Sequence, residues 1–315
     1  MEHSLDLTYH WAGFSALVVF VIAYAFVMAE EFTHLRKSKP VVLAAGLIWG
    51  MIAIAYSNTP HYEMVEHEIR HSFLEYTELA FFLLVAMTYI NALEERNVFN
   101  SLKSWLIKNQ FSYRQLFWIT GVLAFFLSPL ADNLTTALVL CAVVVAVGSS
   151  SPKFVGLACV NIVVAANAGG AFSPFGDITT LMVWQAGQLD FLQFFALVIP
   201  SVVNYIIPAS IMHFFVSDHK PDVAETSVTI KYGGKTIILL GLLTIVTAVS
   251  FHNFLHLPPV FGMMTGLAYL QLYSFYIKIS VKDIEEQKYD FFENVARVEW
   301  DLSLIHISEP TRRTI

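Results

Sequence analysis

Between Phe154 and Ala186 the chain runs 33 residues without a Lys or Arg. As one straight helix that run would be about 50 Å long, against a hydrocarbon core of roughly 30 Å. Inside it lies Asn167-Ala-Gly-Gly-Ala-Phe-Ser-Pro-Phe-Gly-Asp177-Ile-Thr-Thr180. Gly169, Gly170, Pro174 and Gly176 are expected to break the helix near its middle and leave two shorter halves. Unwound backbone at membrane depth survives only where protein buries it or where it lines a cavity. Broken helices of this kind build the substrate and ion sites of secondary transporters. Asp177 opens the second half, with Thr179 and Thr180 just behind it, so the break is a candidate cation site.

Composition agrees with a membrane setting. Hydrophobic residues make up 56% of the chain, Phe alone occurs 26 times, and only 14% of residues are charged. The net charge of −7 says little about partners, because the charges are confined to loops. The two cysteines, Cys141 and Cys159, sit within apolar runs and read as small packing residues rather than a disulfide pair. Residues 1–10 hold no Lys or Arg, and the first apolar run is about 19 residues long, so it reads as a true span and not a cleaved leader.

The expected fold is an all-α polytopic membrane protein. Spans fall at about 11–29, 40–56 and 73–92, then a divided region at 115–147. The broken span 154–186 follows, then spans at about 191–216, 236–252 and 259–277. In the divided region, Phe117–Leu130 and Leu134–Val147 flank Ala131, Asp132 and Asn133. Arms of 14–16 residues are about 21–24 Å long, short of a crossing, and suit a re-entrant hairpin.

Charge bias tests that assignment. With the N-terminus outside and 115–147 a hairpin, the inside loops hold Arg36, Lys37, Lys39, Arg96, Lys103, Lys108, Arg114 and Lys153. They also hold Lys220, Lys231, Lys235, Lys278, Lys282, Lys288 and Arg297, fifteen basic residues against Arg70 alone outside. A single crossing at 115–147 would give seven inside and nine outside, which is no bias. The positive-inside rule favours the hairpin. Residues 1–216 then form a first repeat, 217–235 a cytoplasmic loop, and 236–301 the start of an inverted second repeat, a common construction of transporters.

A carboxylate at mid-membrane costs roughly 2.5–3.5 kcal/mol on insertion scales, so each one is a functional candidate. Asp132 begins Asp-Asn-Leu-Thr-Thr and Asp177 begins Asp-Ile-Thr-Thr, both at helix restarts. Each could serve only as an N-cap, but Ser or Asn would cap without the charge cost. A hard cation such as Na⁺ takes oxygen ligands, and Asp132, Asn133, Thr135, Thr136, Asn167, Ser173, Asp177 and Thr179 supply them, together with carbonyls freed by the breaks. No Lys or Arg cluster stands at that depth to hold an organic anion.

Glu75 and Glu78 open the third span, and Glu78, followed by the apolar run Leu79–Ile90, is the further candidate for a site or proton path. His67-Glu68-Ile69-Arg70-His71 matches H-E-x-x-H, the signature of a zinc protease. Its neighbours Glu63, Glu66 and Arg70 mark a hydrated loop, no third ligand stands out, and coincidence is the better reading.

Ser-Pro-Leu-Ala-Asp-Asn-Leu-Thr-Thr-Ala-Leu (128–138) and the stretch from Asn167 to Gln185 resemble NhaD-type sodium/proton antiporters of the ion transporter superfamily. Ala-Met-Thr-Tyr-Ile-Asn-Ala-Leu-Glu-Glu-Arg (86–96) and Val-Glu-Trp-Asp (298–301) are also similar to that family. The resemblance implies re-entrant hairpins and broken helices in inverted repeats. It implies exchange of Na⁺, with Li⁺ a second candidate, for H⁺ across the bacterial inner membrane. Transport rather than catalysis is expected, with no cofactor beyond the transported ions and a homodimer as the candidate assembly. A sodium-coupled symporter of a small anion is the rival.

Past Asp301 the family continues into a further span, whereas this chain ends Leu-Ser-Leu-Ile-His-Ile-Ser-Glu-Pro-Thr-Arg-Arg-Thr-Ile (302–315). That tail resembles translated adapter read-through, so the chain reads as a C-terminally truncated transporter. The expected mechanism is competitive occupancy. A buried carboxylate holds a proton at low pH and Na⁺ at higher pH, and rocking of the hairpin and broken helix exposes it to each side in turn.

Overall fold

A computed structural model of the chain describes residues 7, 9–36, 38–57, 59–60, 62–109, 111–148, 151–220, 228–280 and 291–296. The tail 302–315 and the Val298–Asp301 motif lie outside these residues. In chain order the helices are α1 (Trp11–Met28), α2 (Glu30–Thr33), α3 (Ser38–Tyr56), α4 (Tyr62–Glu95) and α5 (Val98–Lys108). There follow α6 (Tyr113–Ala131), α7 (Asn133–Val147), α8 (Pro152–Gly170) and α9 (Ile178–Gln185). A 3₁₀ turn (Phe191–Leu197) then leads into α10 (Val198–His213), α11 (Gly234–Leu255), α12 (Pro259–Ser280) and α13 (Phe291–Ala296). No strand occurs among the described residues, and eight helical segments are long and apolar enough to cross a membrane.

Two compact units divide the chain, one running to Leu84 and the other covering Val85–Val298. In the first, α1 packs on α3. Most of their side chains stay exposed, as befits helices whose solvent is lipid. The helix α4 has 34 residues, about 51 Å, and is much longer than the span expected at 73–92. Between Pro60 and Asn97 no Gly or Pro interrupts it, and Arg70 Nε and Nη2 donate to Glu66 Oε1 at 3.0 and 2.8 Å one turn away. Its polar first turns are therefore helix and not loop. Asn97, at φ 59°, ends the run.

The second unit is built on α8, which packs against α6, α7 and α10. Phe117, Ala124, Leu140, Val144, Ala158, Ile162, Ala165 and Tyr205 form part of its buried core. The arm α6 is longer than the sequence indicated, at 19 residues or about 28 Å. Ser112 and Gln115 form a reciprocal capping box that starts it at Tyr113. The arm α7 has 15 residues, within the expected range. The broken span also divides less evenly than expected. The first segment, α8, keeps 19 residues, Ala171–Asp177 is non-helical, and α9 has only eight.

None of the glycines at that break has a positive φ. Close approach selects them instead. Pro129 has no N–H, so Phe125 O loses its helical donor, and Gly169 lies against that freed carbonyl: a Cβ there would stand 2.1 Å from Phe125 O. Gly170 and Gly176 face each other, and a Cβ on Gly176 would be 2.4 Å from Gly170 Cα.

The pair α11 and α12 is packed the same way. A Cβ on Gly262 would meet Ala248 Cα at 2.3 Å and one on Gly266 would meet Thr244 Cγ2 at 2.1 Å, so α11 and α12 touch through small residues. Tyr89 of α4 joins them: its hydroxyl donates to Gly266 O (2.7 Å) and accepts from Thr244 Oγ1 (2.9 Å). Tyr89→Phe removes both bonds and is expected to cost about 1 kcal/mol, since membrane hydrogen bonds average roughly 0.6 kcal/mol each. A thermal midpoint in detergent unchanged from wild type would show that this junction contributes nothing.

Candidate functional site

The tip between α6 and α7 is a single residue, Asp132. Its backbone sits at φ 55°, ψ 161°, a region sparsely populated by side-chain-bearing residues and worth of order 1–3 kcal/mol of strain. The carboxylate caps α7: Oδ1 accepts from Thr135 N and Oδ2 from Thr135 Oγ1, both at 2.8 Å. The strain yields a measurable contrast. Asp132→Ala loses the cap and keeps the strained φ, whereas Asp132→Gly loses the cap but relieves it. The Gly variant is expected to be the more stable by about 1–2 kcal/mol in thermal unfolding, despite glycine's entropic cost. The reverse order would mean that the tip does not hold this conformation.

At the other break Asp177 caps α9 in the same manner. Its Oδ1 accepts from Thr179 N (2.8 Å) and Thr179 Oγ1 (2.6 Å). Its Oδ2 accepts from Asn133 Nδ2, a bond that leaves its own segment and joins the two breaks. Asn133 Nδ2 also lies 3.1 Å from Asn167 Oδ1, and Asn133 N donates to Gly176 O at 3.0 Å. Ser173 Oγ donates to Pro129 O at 3.2 Å and accepts from Phe175 N at 3.2 Å. Asp132, Asn133, Thr135, Asn167, Ser173, Asp177 and Thr179 thus gather where the α6–α7 tip meets the break after α8.

Thr136 stands one turn into α7, 1% exposed, and its Oγ1 has no hydrogen-bond partner. A buried unpaired hydroxyl carries a penalty of about 1–3 kcal/mol that a cation or water would relieve. The carbonyls expected to be free are largely engaged: Ser173 O takes Gly176 N (3.2 Å) and Thr180 Oγ1 (2.9 Å), and Gly176 O takes Asn133 N. Oxygen donors at the cluster are therefore side-chain oxygens first. Glu78 lies half-buried on α4 in the first unit. His67 and His71 stand on the exposed early turns of α4, and no group of three His, Cys, Asp or Glu gathers at a metal-sized point among the described residues.

Sequence reasoning missed Ser128 and placed Thr180 behind Asp177 without its partner. Ser128 Oγ donates to Ala166 O at 2.6 Å, tying α6 to α8 just ahead of the tip. Thr180 Oγ1 closes the break onto Ser173 O, as above. Only the fold shows which carbonyls these two hydroxyls reach.

Eight apolar segments, a one-residue helix tip and a seven-residue break sharing a carboxylate–amide contact define a multi-pass membrane transporter of the ion transporter superfamily. The pattern of the citrate transporter family, CitMHS, matches residues 11–300, and the chain belongs to that family, in its NhaD-type branch. It is 51% identical to the Na⁺/H⁺ antiporter NhaD of Vibrio cholerae over 96% of its length. It is likewise 51% identical to NhaD of Alkalimonas amylolytica over 95%, and 32% identical to sodium/proton antiporter 1 of Arabidopsis thaliana over 80%. The chain spans 68% and 66% of the two bacterial relatives' lengths and 44% of the plant protein's. These relatives are named as transporters, not enzymes.

Proposed function

We propose that the whole protein exchanges Na⁺, with Li⁺ a second candidate, for H⁺ across the bacterial inner membrane by alternating access, with its N-terminus in the periplasm. The observation that carries this reading is the Asp177–Asn133 bond, which joins two helix breaks through an ionisable group. Two half-helix N-termini converge there, and their dipoles favour an anionic carboxylate and, through it, a bound cation. Na⁺ is a hard ion, and Asp132, Asp177, Asn167, Thr136 and Thr179 offer oxygen in hydroxyl, amide and carboxylate form. No Lys or Arg lies between 154 and 186 to hold an anionic substrate, and the relatives at about 50% identity are antiporters.

In this mechanism Asp177 and Asp132 hold either protons or Na⁺. The hydroxyls of Thr136 and Thr179 replace hydration water, and Glu78 serves a proton path. The segments α6–α7 act as a re-entrant hairpin moving with the broken helix, residues 1–216 as the first repeat and 236–301 as the start of the second. The protein works as a homodimer in pH homeostasis. The test is ion flux in everted membrane vesicles energised by respiration, with a pH-reporting dye. Added NaCl should collapse the proton gradient in vesicles bearing the whole protein and leave control vesicles unaffected. Equal responses in both would reject the proposal.

A further inference from the structure

The chain's only two cysteines, 18 residues apart in sequence, are brought together on neighbouring helices. Cys141 of α7 has its Sγ 4.0 Å from Cys159 O on α8, which places the two thiols on adjoining turns of neighbouring helices. Both are free and partly buried. We propose that Cys141 and Cys159 form a dithiol site for a soft, thiophilic cation such as Hg²⁺, which on binding pins α7 to α8.

Three features support a built pair over two packing residues that happen to touch. First, the surroundings are aliphatic: Leu140, Val144, Ala158 and Ile162, all nearly or fully buried, are the sequence neighbours on the two helices. A hard ion such as Na⁺ finds no oxygen ligand set there, whereas polarisable sulfur selects soft metals. Second, two sulfurs on neighbouring helices satisfy an ion that favours two-coordinate, near-linear geometry, so the lack of a third donor among the described residues is no obstacle. Third, α7 carries Asp132–Thr136 at its start and α8 carries Asn167 near its end, so the thiols bridge the same helix pair that bears the cation cluster. The site is separate from that cluster: Cys141 lies nine residues, about 13 Å of helix, beyond Asp132.

Binding balances without redox chemistry. Each thiol gives up its proton to solvent, two S–Hg bonds form, and Hg²⁺ sheds two chloride or water ligands. Neutral mercuric chloride partitions into membranes and can reach thiols on lipid-facing helices.

The experiment uses the 315-residue chain in detergent, titrated with mercuric chloride against a monothiol competitor such as glutathione. Thiols are then counted with a maleimide, and bound mercury is measured. Wild type should retain one Hg²⁺ per chain with both cysteines protected. Chelation by a second, tethered thiol should raise apparent affinity about 10²–10⁴-fold over either C141S or C159S, which should surrender the ion to competitor. Serine is near-isosteric, and circular dichroism with size-exclusion elution checks that the variants fold. Two Hg²⁺ per wild-type chain, both thiols still open to maleimide, or single variants as tight as wild type would each overturn the pair.

Discussion

Asp177→Asn in the whole protein is expected to abolish Na⁺-dependent proton movement in everted vesicles while leaving expression and membrane insertion intact. Asn caps a helix as well as Asp, so the bonds from Thr179 N and Oγ1 to Oδ1 can persist. The amide placed at Oδ2 would face Asn133 Nδ2, donor against donor, and a flip of the Asn133 side chain relieves that conflict at the cost of its bond to Asn167 Oδ1. The fold is thus expected to survive while the ionisable group is lost. Asp177→Glu keeps the charge but moves it by one methylene, and should leave partial exchange with weaker Na⁺ affinity or a displaced pH profile. Asp132→Asn should behave like Asp177→Asn. Wild-type exchange rates in either Asn variant would remove that aspartate from the site.

The largest structural effect is expected from Gly169→Ala. The added Cβ would stand 2.1 Å from Phe125 O, 2.8 Å from its carbonyl carbon and 2.9 Å from its Cα. All three obstacles are backbone of α6, so no rotamer change relieves them and the helices must separate. Overpacking of this kind costs about 1–3 kcal/mol, and rigid backbone puts this case at the upper end. Gly156→Ala, on the same helix with nothing within 4 Å, is the matched control and should be neutral or stabilising by up to about 1 kcal/mol. The check is thermal stability of both variants in one detergent. Equal midpoints would show that α6 and α8 do not meet at Gly169.

Much of this architecture was legible because its signals are local. A run of apolar residues too long for one crossing, interrupted by Gly169, Gly170, Pro174 and Gly176, locates the break whatever surrounds it. Asp followed by Thr at 132–136 and 177–180 marks capped restarts, and both aspartates do cap. The contact that makes one cluster of two motifs was not legible: Asn133 and Asp177 are 44 residues apart, and no local pattern encodes which side chain reaches across. The glycines were read as breakers, yet Gly169 is fitted to a carbonyl that Pro129 empties, a relation that exists only once α6 and α8 are side by side. Helix α4 began earlier than expected because charged residues suggested a loop, while the absence of Gly or Pro let the helix continue outward. Cys141 and Cys159 are free, as their apolar runs indicate, but their nearness across neighbouring helices leaves no mark in either run.

Joining α6 to α7 through Asp132 alone has a mechanical consequence. With no linker residues to absorb a change of angle, α7 can swing against α6 only by torsion about the bonds of Asp132 itself. The hinge and the carboxylate are the same residue, so any swing turns the side chain relative to Asn133 and the α9 terminus. A longer turn would let the arms flex while the carboxylate stayed still. In the proposed mechanism, opening angle and carboxylate orientation are therefore coupled through the φ and ψ of one residue.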